Sequence, residues 1–303
     1  SETEEYETFF EYSLSGNLSS KTDKEDKTTG YEYDELNRLK KVIDPSSNET
    51  EYTYDDRDNL ISLTDAKGQS TLFEYDTNNR LTKETRPMGE ETTYQYDGAG
   101  NLIQKIDAKN QKVAYTYGDA GKLTEIRYFN PDDLVNPVKT VAFTYDRVGN
   151  LKTYDDGTTS ASYNYDDTYR KVSDVVNYGA FQKSYSYTYY NNGLKKTFTG
   201  PDGITYTYTY NSNNQLSGVQ IPSVGSITHA SYNWTRPSMI TLPGGSKKDY
   251  AYDPLMRIQN ITSKDPGQNT LLSYQYTYDK ADNITLKNTE HGSYTYGYDD
   301  LSG

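Results

Sequence analysis

The side chains best equipped for chemistry in this sequence are carboxylates. Five Asp-Asp pairs occur, at Asp55-Asp56, Asp132-Asp133, Asp155-Asp156, Asp166-Asp167 and Asp299-Asp300. Two carboxylates flanking a sugar linkage are the equipment of a glycosidase, and clustered ones can hold calcium. Most of these pairs, however, recur at one position of a turn, where an aspartate accepts bonds from backbone N–H groups two residues on. The twelve-residue calcium loop pattern is absent. The two histidines, His229 and His291, have no neighbouring ligands and read as surface or loop residues. Cysteine is missing altogether, which excludes disulfides and thiolate metal sites. Ser246 follows Gly244-Gly245 without the pattern of a nucleophile elbow. The sequence therefore predicts no catalytic residues, no metal and no cofactor. Glycosylation-type triplets at Asn17, Asn233, Asn260 and Asn283 mostly arise from a recurring Asn-aliphatic step and read as idle.

The elements that carry the aspartates are repeats. An aromatic, any residue, a tyrosine and an aspartate recur as Tyr31-Glu32-Tyr33-Asp34, Tyr52-Thr53-Tyr54-Asp55, Phe73-Glu74-Tyr75-Asp76 and Tyr94-Gln95-Tyr96-Asp97. The unit returns as Phe143-Thr144-Tyr145-Asp146, Tyr163-Asn164-Tyr165-Asp166, Tyr250-Ala251-Tyr252-Asp253, Tyr276-Thr277-Tyr278-Asp279 and Tyr296-Gly297-Tyr298-Asp299. Weaker copies sit at Phe10–Ser13, Tyr115–Gly118, Tyr187–Tyr190, Tyr208–Asn211 and Tyr232–Thr235, which makes fourteen. The second aromatic falls at 12, 33, 54, 75, 96, 117, 145, 165, 189, 210, 234, 252, 278 and 298; the first five steps are 21 residues and later ones 18 to 28.

Each copy reads as a β-hairpin. Alternation places Tyr52 and Tyr54 on one face and Thr53 on the other. Four places after the second aromatic stands Gly16, Asn37, Asp58, Asn79, Gly100, Gly121, Gly149, Gly193, Asn214 or Asp282, residue types that accept the left-handed backbone of a bulged turn. Tyr169, Ser238, Met256 and Ser302 break that rule. An aliphatic two places further on restarts the chain, as at Leu39, Leu60, Leu81, Leu102, Ile240 and Ile258. A second turn follows, as in Asp44-Pro45 or Asp65-Ala66-Lys67-Gly68. The count reaches about 28 antiparallel strands, a strip roughly 130 Å long and 20 Å wide at ordinary strand spacing. The insertion Phe129–Val138, with Pro131 and Pro137, reads as a surface loop. No stretch has helical periodicity.

Composition agrees with a thin sheet. Only 33% of residues are hydrophobic, while tyrosines number 34 against 7 phenylalanines. A tyrosine can pack its ring and keep its hydroxyl wet. The net charge is −13, and Ser1–Glu35 holds eleven acids against three lysines. Such a chain repels phosphate backbones, which argues against nucleic acid as a partner. No apolar run is long enough for a membrane-spanning helix, and Ser1–Gly30 has no signal-peptide core. The sequence stops inside a repeat, so a fragment of a larger array is expected, with terminal strands near Phe9–Leu14 and Tyr294–Asp299 offering unpaired edges.

The pattern Tyr-x-Tyr-Asp-x-x-Gly-Asn-Leu, whole at Tyr94–Leu102 and nearly whole at Phe143–Leu151, resembles the Rhs/YD-repeat family of bacterial Rhs polymorphic toxins, Tc toxin B and C components and animal teneurins. The segment Gly200–Leu301, with Leu242-Pro243-Gly244-Gly245, looks most like the bacterial Rhs proteins. The resemblance implies an all-β fold in which tandem antiparallel β-hairpin (YD) repeats form a curled or spiral strip of cocoon-like shell. It implies one array over residues 1–303, and as partners the remainder of the Rhs shell and an encapsulated toxin or effector domain. A secreted or bacterial cell-surface setting goes with it. The family's autoproteolytic Asp-Pro-x-Gly core motif is not found; Asp253-Pro254 lies inside a repeat and Asp265-Pro266-Gly267 in a turn. A shell without enzyme activity is thus the first functional expectation. The alternative is a surface-binding module whose exposed tyrosines meet glycans or a partner protein.

Overall fold

The computed structural model describes residues 8–298. Asp299, the Asp299-Asp300 pair and Ser302 therefore lie outside the described residues. Among those described there is no helix, and 27 β-strands follow one another in chain order. They fall into two compact units, one running up to Gly149 with Tyr154–Gly157, the other taking Asn150–Thr153 and everything from Thr158 on. Within each unit consecutive strands pair antiparallel, as Thr28–Tyr33 does with Leu39–Ile43 and Lys247–Tyr252 with Ile258–Lys264. Among the described residues the strands of each unit contact their neighbours in sequence and the sheet is not closed into a barrel.

Alternation puts one face of this sheet in a half-buried setting. In Glu49–Tyr54 the residues Thr50, Tyr52 and Tyr54 are half-buried while Glu49, Glu51 and Thr53 are exposed. Nothing is packed into a deep core. Among the described residues only Phe129, Val141 and Ala161 are buried apolar side chains, each 7% exposed, and none falls below 2%. The chain exposes 19490 Å², whereas two separate compact globules of half its mass would expose roughly 16,000 Å² together. Burial must come from neighbours on the same face. The wet face is dressed with ion pairs, Lys41 to Glu49 at 2.7 Å and to Glu51 at 3.0 Å.

The turns have the expected bulged form. Asp34 N–H donates to the Arg38 carbonyl and Asn37 N–H to the Asp34 carbonyl, at 2.9 and 3.0 Å, which is a type I turn closed by a left-handed residue. Strands restart at Leu39, Leu60, Leu81, Leu102 and Ile258. Tyr169 and Met256, which looked like exceptions, adopt the same left-handed backbone at φ 64° and 63°. The turn geometry outweighs residue preference there.

Two expectations need correction. Phe129–Val138 is not a loop: the strands Leu123–Asn130 and Asp133–Tyr145 run through it as a long hairpin. It is held because Phe129 is buried under the Lys112 ammonium, 4.4 Å from the ring centroid, while Lys112 also donates to the Leu134 carbonyl at 2.9 Å. Near Tyr232–Thr235 the register is shifted by two. Trp234 lies in the turn with φ 55° and is 80% exposed, and Tyr232 takes the place of the second aromatic. Ser238 and Ile240 accordingly lie within the strand Arg236–Thr241 and not at a turn or strand start.

Gly100 and Gly149 have φ of 92° and 94°. Gly100→Val and Gly149→Val are each expected to cost at least ~1 kcal/mol in urea unfolding. Gly100→Asn should stay within ~0.5 kcal/mol of the parent, because Asn37 and Asn79 hold the equivalent position. Unchanged stability in the valine variants would contradict the turn assignment.

Candidate functional site: the seam between repeats

The repeat-defining residues meet along the seam where one hairpin joins the next. In most repeats the second tyrosine sends its hydroxyl back to a carbonyl at the start of the previous return strand. Tyr54 donates to Leu39 O at 2.9 Å, Tyr75 to Leu60 O at 3.0 Å and Tyr96 to Leu81 O at 2.9 Å. Tyr145 to Leu123 O (2.8 Å) and Tyr165 to Leu151 O (2.9 Å) do the same. So do Tyr252 to Pro237 O at 2.9 Å, Tyr278 to Ile258 O at 2.6 Å and Tyr298 to Ile284 O at 3.0 Å. The hydroxyl of Tyr232, not the Trp234 ring, makes this bond to Leu216 O. The first aromatics Tyr31, Tyr52, Tyr94, Tyr163, Tyr250 and Tyr276 stand half-buried on the same face two residues earlier. Tyr33 lies on that face too, and Tyr296 is exposed.

The aspartate after each tyrosine builds the turn. Asp55 Oδ1 accepts the N–H groups of Arg57 and Asn59, both at 2.9 Å, and Oδ2 accepts the Asn59 amide at 2.9 Å. Asp34, Asp76, Asp97, Asp166 and Asp253 repeat this arrangement. Asp146 caps Val148 N–H at 3.0 Å and Asp279 caps Asn283 N–H at 2.8 Å. In the four described pairs one member caps a turn: Asp55, Asp133, Asp155 and Asp166 each accept turn N–H groups. No group of three or more metal-ligating side chains occurs among the described residues. His229 lies in the strand Gly225–Asn233, stacked on Tyr232, and burial pushes its pKa down; His291 is exposed beside Glu290.

The role of one column escaped the sequence reading, although its Asn101 and Asn150 belong to the recurring pattern. Five places after the second tyrosine stand Arg38, Asn59, Arg80, Asn101, Arg170 and Arg257. Arg38 binds its own Asp34 through Nε at 2.7 Å and donates Nη1 to Asp55 O of the next repeat at 2.9 Å. Its guanidinium also lies 4.8 Å from the Tyr54 ring centroid. Arg80 with Tyr96 (4.8 Å), Arg170 with Tyr189 (4.7 Å) and Arg257 with Tyr278 (4.6 Å) reproduce the clamp. Where asparagine replaces arginine the reach is shorter but the direction is kept: Asn59 donates to Asn79 Oδ1 at 3.0 Å. The signal was a column occupied by side-chain donors of two different sizes.

An RHS Repeat model matches five overlapping stretches, residues 12–49, 34–71, 54–91, 75–112 and 96–132. A Teneurin YD-shell model matches residues 131–303. The chain belongs to the Rhs/YD-shell family. The segment Gly200–Leu301, read from sequence as nearest the bacterial Rhs proteins, lies within the stretch that the Teneurin YD-shell model matches. Among curated proteins no sequence matches.

Several solved structures are similar in fold at low identity. A TcdB2-TccC3 crystal structure without the hypervariable C-terminal region aligns with a TM-score of 0.63 and 14% identity over 96% of this chain. TcdB2-TccC3-Cdc42 aligns with 0.61 and 13% over 93%. A Photorhabdus luminescens Tc holotoxin pore gives 0.59 and 14% over 88%. These chains are much longer: this chain spans 20%, 20% and 18% of them.

The seam makes stability depend on pH from both sides. Hydrogen bonds from the Asn59 and Asn101 amides hold the Asp55 and Asp97 carboxyls below the ordinary range, and backbone N–H groups of Arg38 and Arg80 do so for Asp34 and Asp76. Their contribution is present above the ordinary aspartate range and lost as pH falls through and below it. Burial pushes the hydroxyls of Tyr54, Tyr75, Tyr117 and Tyr278 up. Their contribution is present below the ordinary tyrosine range and lost as pH rises through the raised values. The melting temperature is expected to be flat between about pH 5 and pH 9, to fall below about pH 4 and to fall again above about pH 10. A stability that keeps rising down to pH 3 would contradict the capping role. Tyr54→Phe and Tyr96→Phe, which delete only the hydroxyls, should each cost ~0.5–1.5 kcal/mol in urea unfolding.

Proposed function

We propose that this chain is a structural shell segment of an Rhs-type protein, part of a hollow β-cocoon that encapsulates a toxin or other terminal domain. The observation that carries the reading is a sheet with one half-buried aromatic face, no deep core, and a tyrosine bond from most repeats to the one before. Such a strip serves by enclosing, and its extent is set only by the number of repeats. Membership in the YD-shell family and likeness to Tc toxin folds support a scaffold role. The span of about a fifth of those chains supports a single array, residues 1–303, that is continued by the remainder of the shell. Scaffolding without catalysis is consistent with aspartates that are engaged as turn caps. The Tc holotoxin pore among the similar structures supports a secreted or cell-surface setting. The residues we assign to the shell's integrity are the seam tyrosines and aspartates, from Tyr33-Asp34 to Tyr278-Asp279, and Tyr298.

Limited proteolysis of the complete natural protein tests this. Sequence outside the array should resist cleavage while the seam is intact and become cleavable when Tyr54→Ala and Tyr75→Ala are combined. Equal cleavage rates of that sequence in both forms would overturn the enclosing role.

A further inference from the structure

Across eight successive strands of the second unit, from Ser160–Tyr165 to Arg236–Thr241, the face opposite the tyrosines changes its chemistry. In the first unit that face carries charge, with Lys41 set between Glu49 and Glu51, and Lys83 between Glu74 and Glu91. Here the register places Ser186, Thr199 and Thr205 in one row across the strands, and Thr188, Thr197 and Thr207 in the next. The flanking strands continue with Ser162 and Ser173 on one side and with Gln220 and Thr228 on the other. These rows hold hydroxyls and amides and no ionised group.

The charges of the same strands lie elsewhere. Lys171 and Lys195 are on the aromatic face, 5.0 and 5.4 Å from the Tyr187 ring centroid, and Lys183 is 5.6 Å from that of Phe181. Asp174, only 6% exposed, pairs with Lys171 on that side at 2.8 Å. Lys196 stands at a strand bulge beside the turn, 5.8 Å from the Tyr190 ring centroid. It is the charged side chain at the rim of the hydroxyl face. Burying a lysine against rings while the opposite face goes without charge is the reverse of what a solvated sheet requires.

We propose that this hydroxyl face is an interface with a second copy of the chain. Depletion of charge is the compositional mark of an interface core. A hydroxyl both donates and accepts, so a face of hydroxyls complements itself under a two-fold rotation, where a face of one charge would meet its own sign. Thr188 pairs with Thr197 at 2.6 Å and Thr199 with Thr205 at 2.8 Å, and each such pair keeps acceptor sites for a partner. Val175 and the threonine methyls supply the apolar contact of two stacked sheets. Eight strands at ordinary spacing make a face roughly 38 Å by 20 Å, which matches the ~800 Å² that each partner gives to a standard interface. The inference goes beyond the shell reading and does not rest on it, since it joins one wall to another.

Sedimentation velocity of the chain between about 1 and 100 µM tests it. A dimer is expected, with a Kd of about 10 µM or tighter. Thr207→Lys and Thr207→Glu should each weaken it at least about tenfold, because each sets an unpaired charge near the centre of the face. An equimolar mixture of the two variants should recover the dimer, a result that misfolding could not give. Ser186→Glu, at an exposed position, should weaken the dimer similarly, and Thr53→Lys, on the wet face of the first unit, should leave it unchanged. A monomer at every concentration would overturn the proposal. So would association that persists in both Thr207 variants and in Ser186→Glu, as pairing through terminal strand edges would.

Discussion

A sheet with no core can persist only if each hairpin is fastened to its neighbour, and here tyrosine hydroxyls add a side-chain fastening to the backbone ladder that joins the hairpins. The bond returns with the same acceptor position although the intervening chain varies. Fourteen residues separate Tyr165 from Leu151, fifteen separate Tyr54 from Leu39, and twenty-two separate Tyr145 from Leu123. Length differences are absorbed in the opposite row of turns, as the hairpin through Phe129–Val138 shows. A repeat array tolerates insertions on one edge as long as the other edge keeps its geometry. Reading Tyr232 in place of Trp234 also regularises the spacing, from steps of 24 and 18 to steps of 22 and 20.

The charge balance follows from the same seam. Each turn aspartate must remain ionised to accept two N–H groups and a side-chain donor at once. The arginine that completes the turn then reaches across the boundary, to a carbonyl and a ring of the following repeat. A planar fork can bind a carboxylate and stack on an aromatic together, which a lysine cannot do. Much of the excess acidity is therefore turn chemistry, and the tyrosine-rich composition replaces the aliphatic core that a thicker fold would have.

How much of this was legible depended on whether a position demands a residue type or only a function. The tyrosine column, the left-handed turn positions and the strand restarts at Leu39, Leu60 or Leu102 were visible because each tolerates few residue types. The role of the column five places after the tyrosine was not, because arginine and asparagine are chemically unlike and share only a donor directed at the next repeat. Tyr169 and Met256 looked like broken turns because backbone closure there overrides side-chain preference. The shift at Tyr232 was hidden by an aromatic, Trp234, at the position where the pattern expected one. The burial of Phe129 depends on Lys112, seventeen residues earlier, and no local pattern records it.

The central claim is that stability resides in links between adjacent repeats and not in a shared core. Hydrogen–deuterium exchange of the chain and its Tyr75→Phe variant tests this most directly. The account predicts that protection falls in the strands between Glu49 and Thr85, on either side of the lost Tyr75–Leu60 bond, and stays at the parent level from Leu102 onward. An equal loss of protection along the whole array would contradict it.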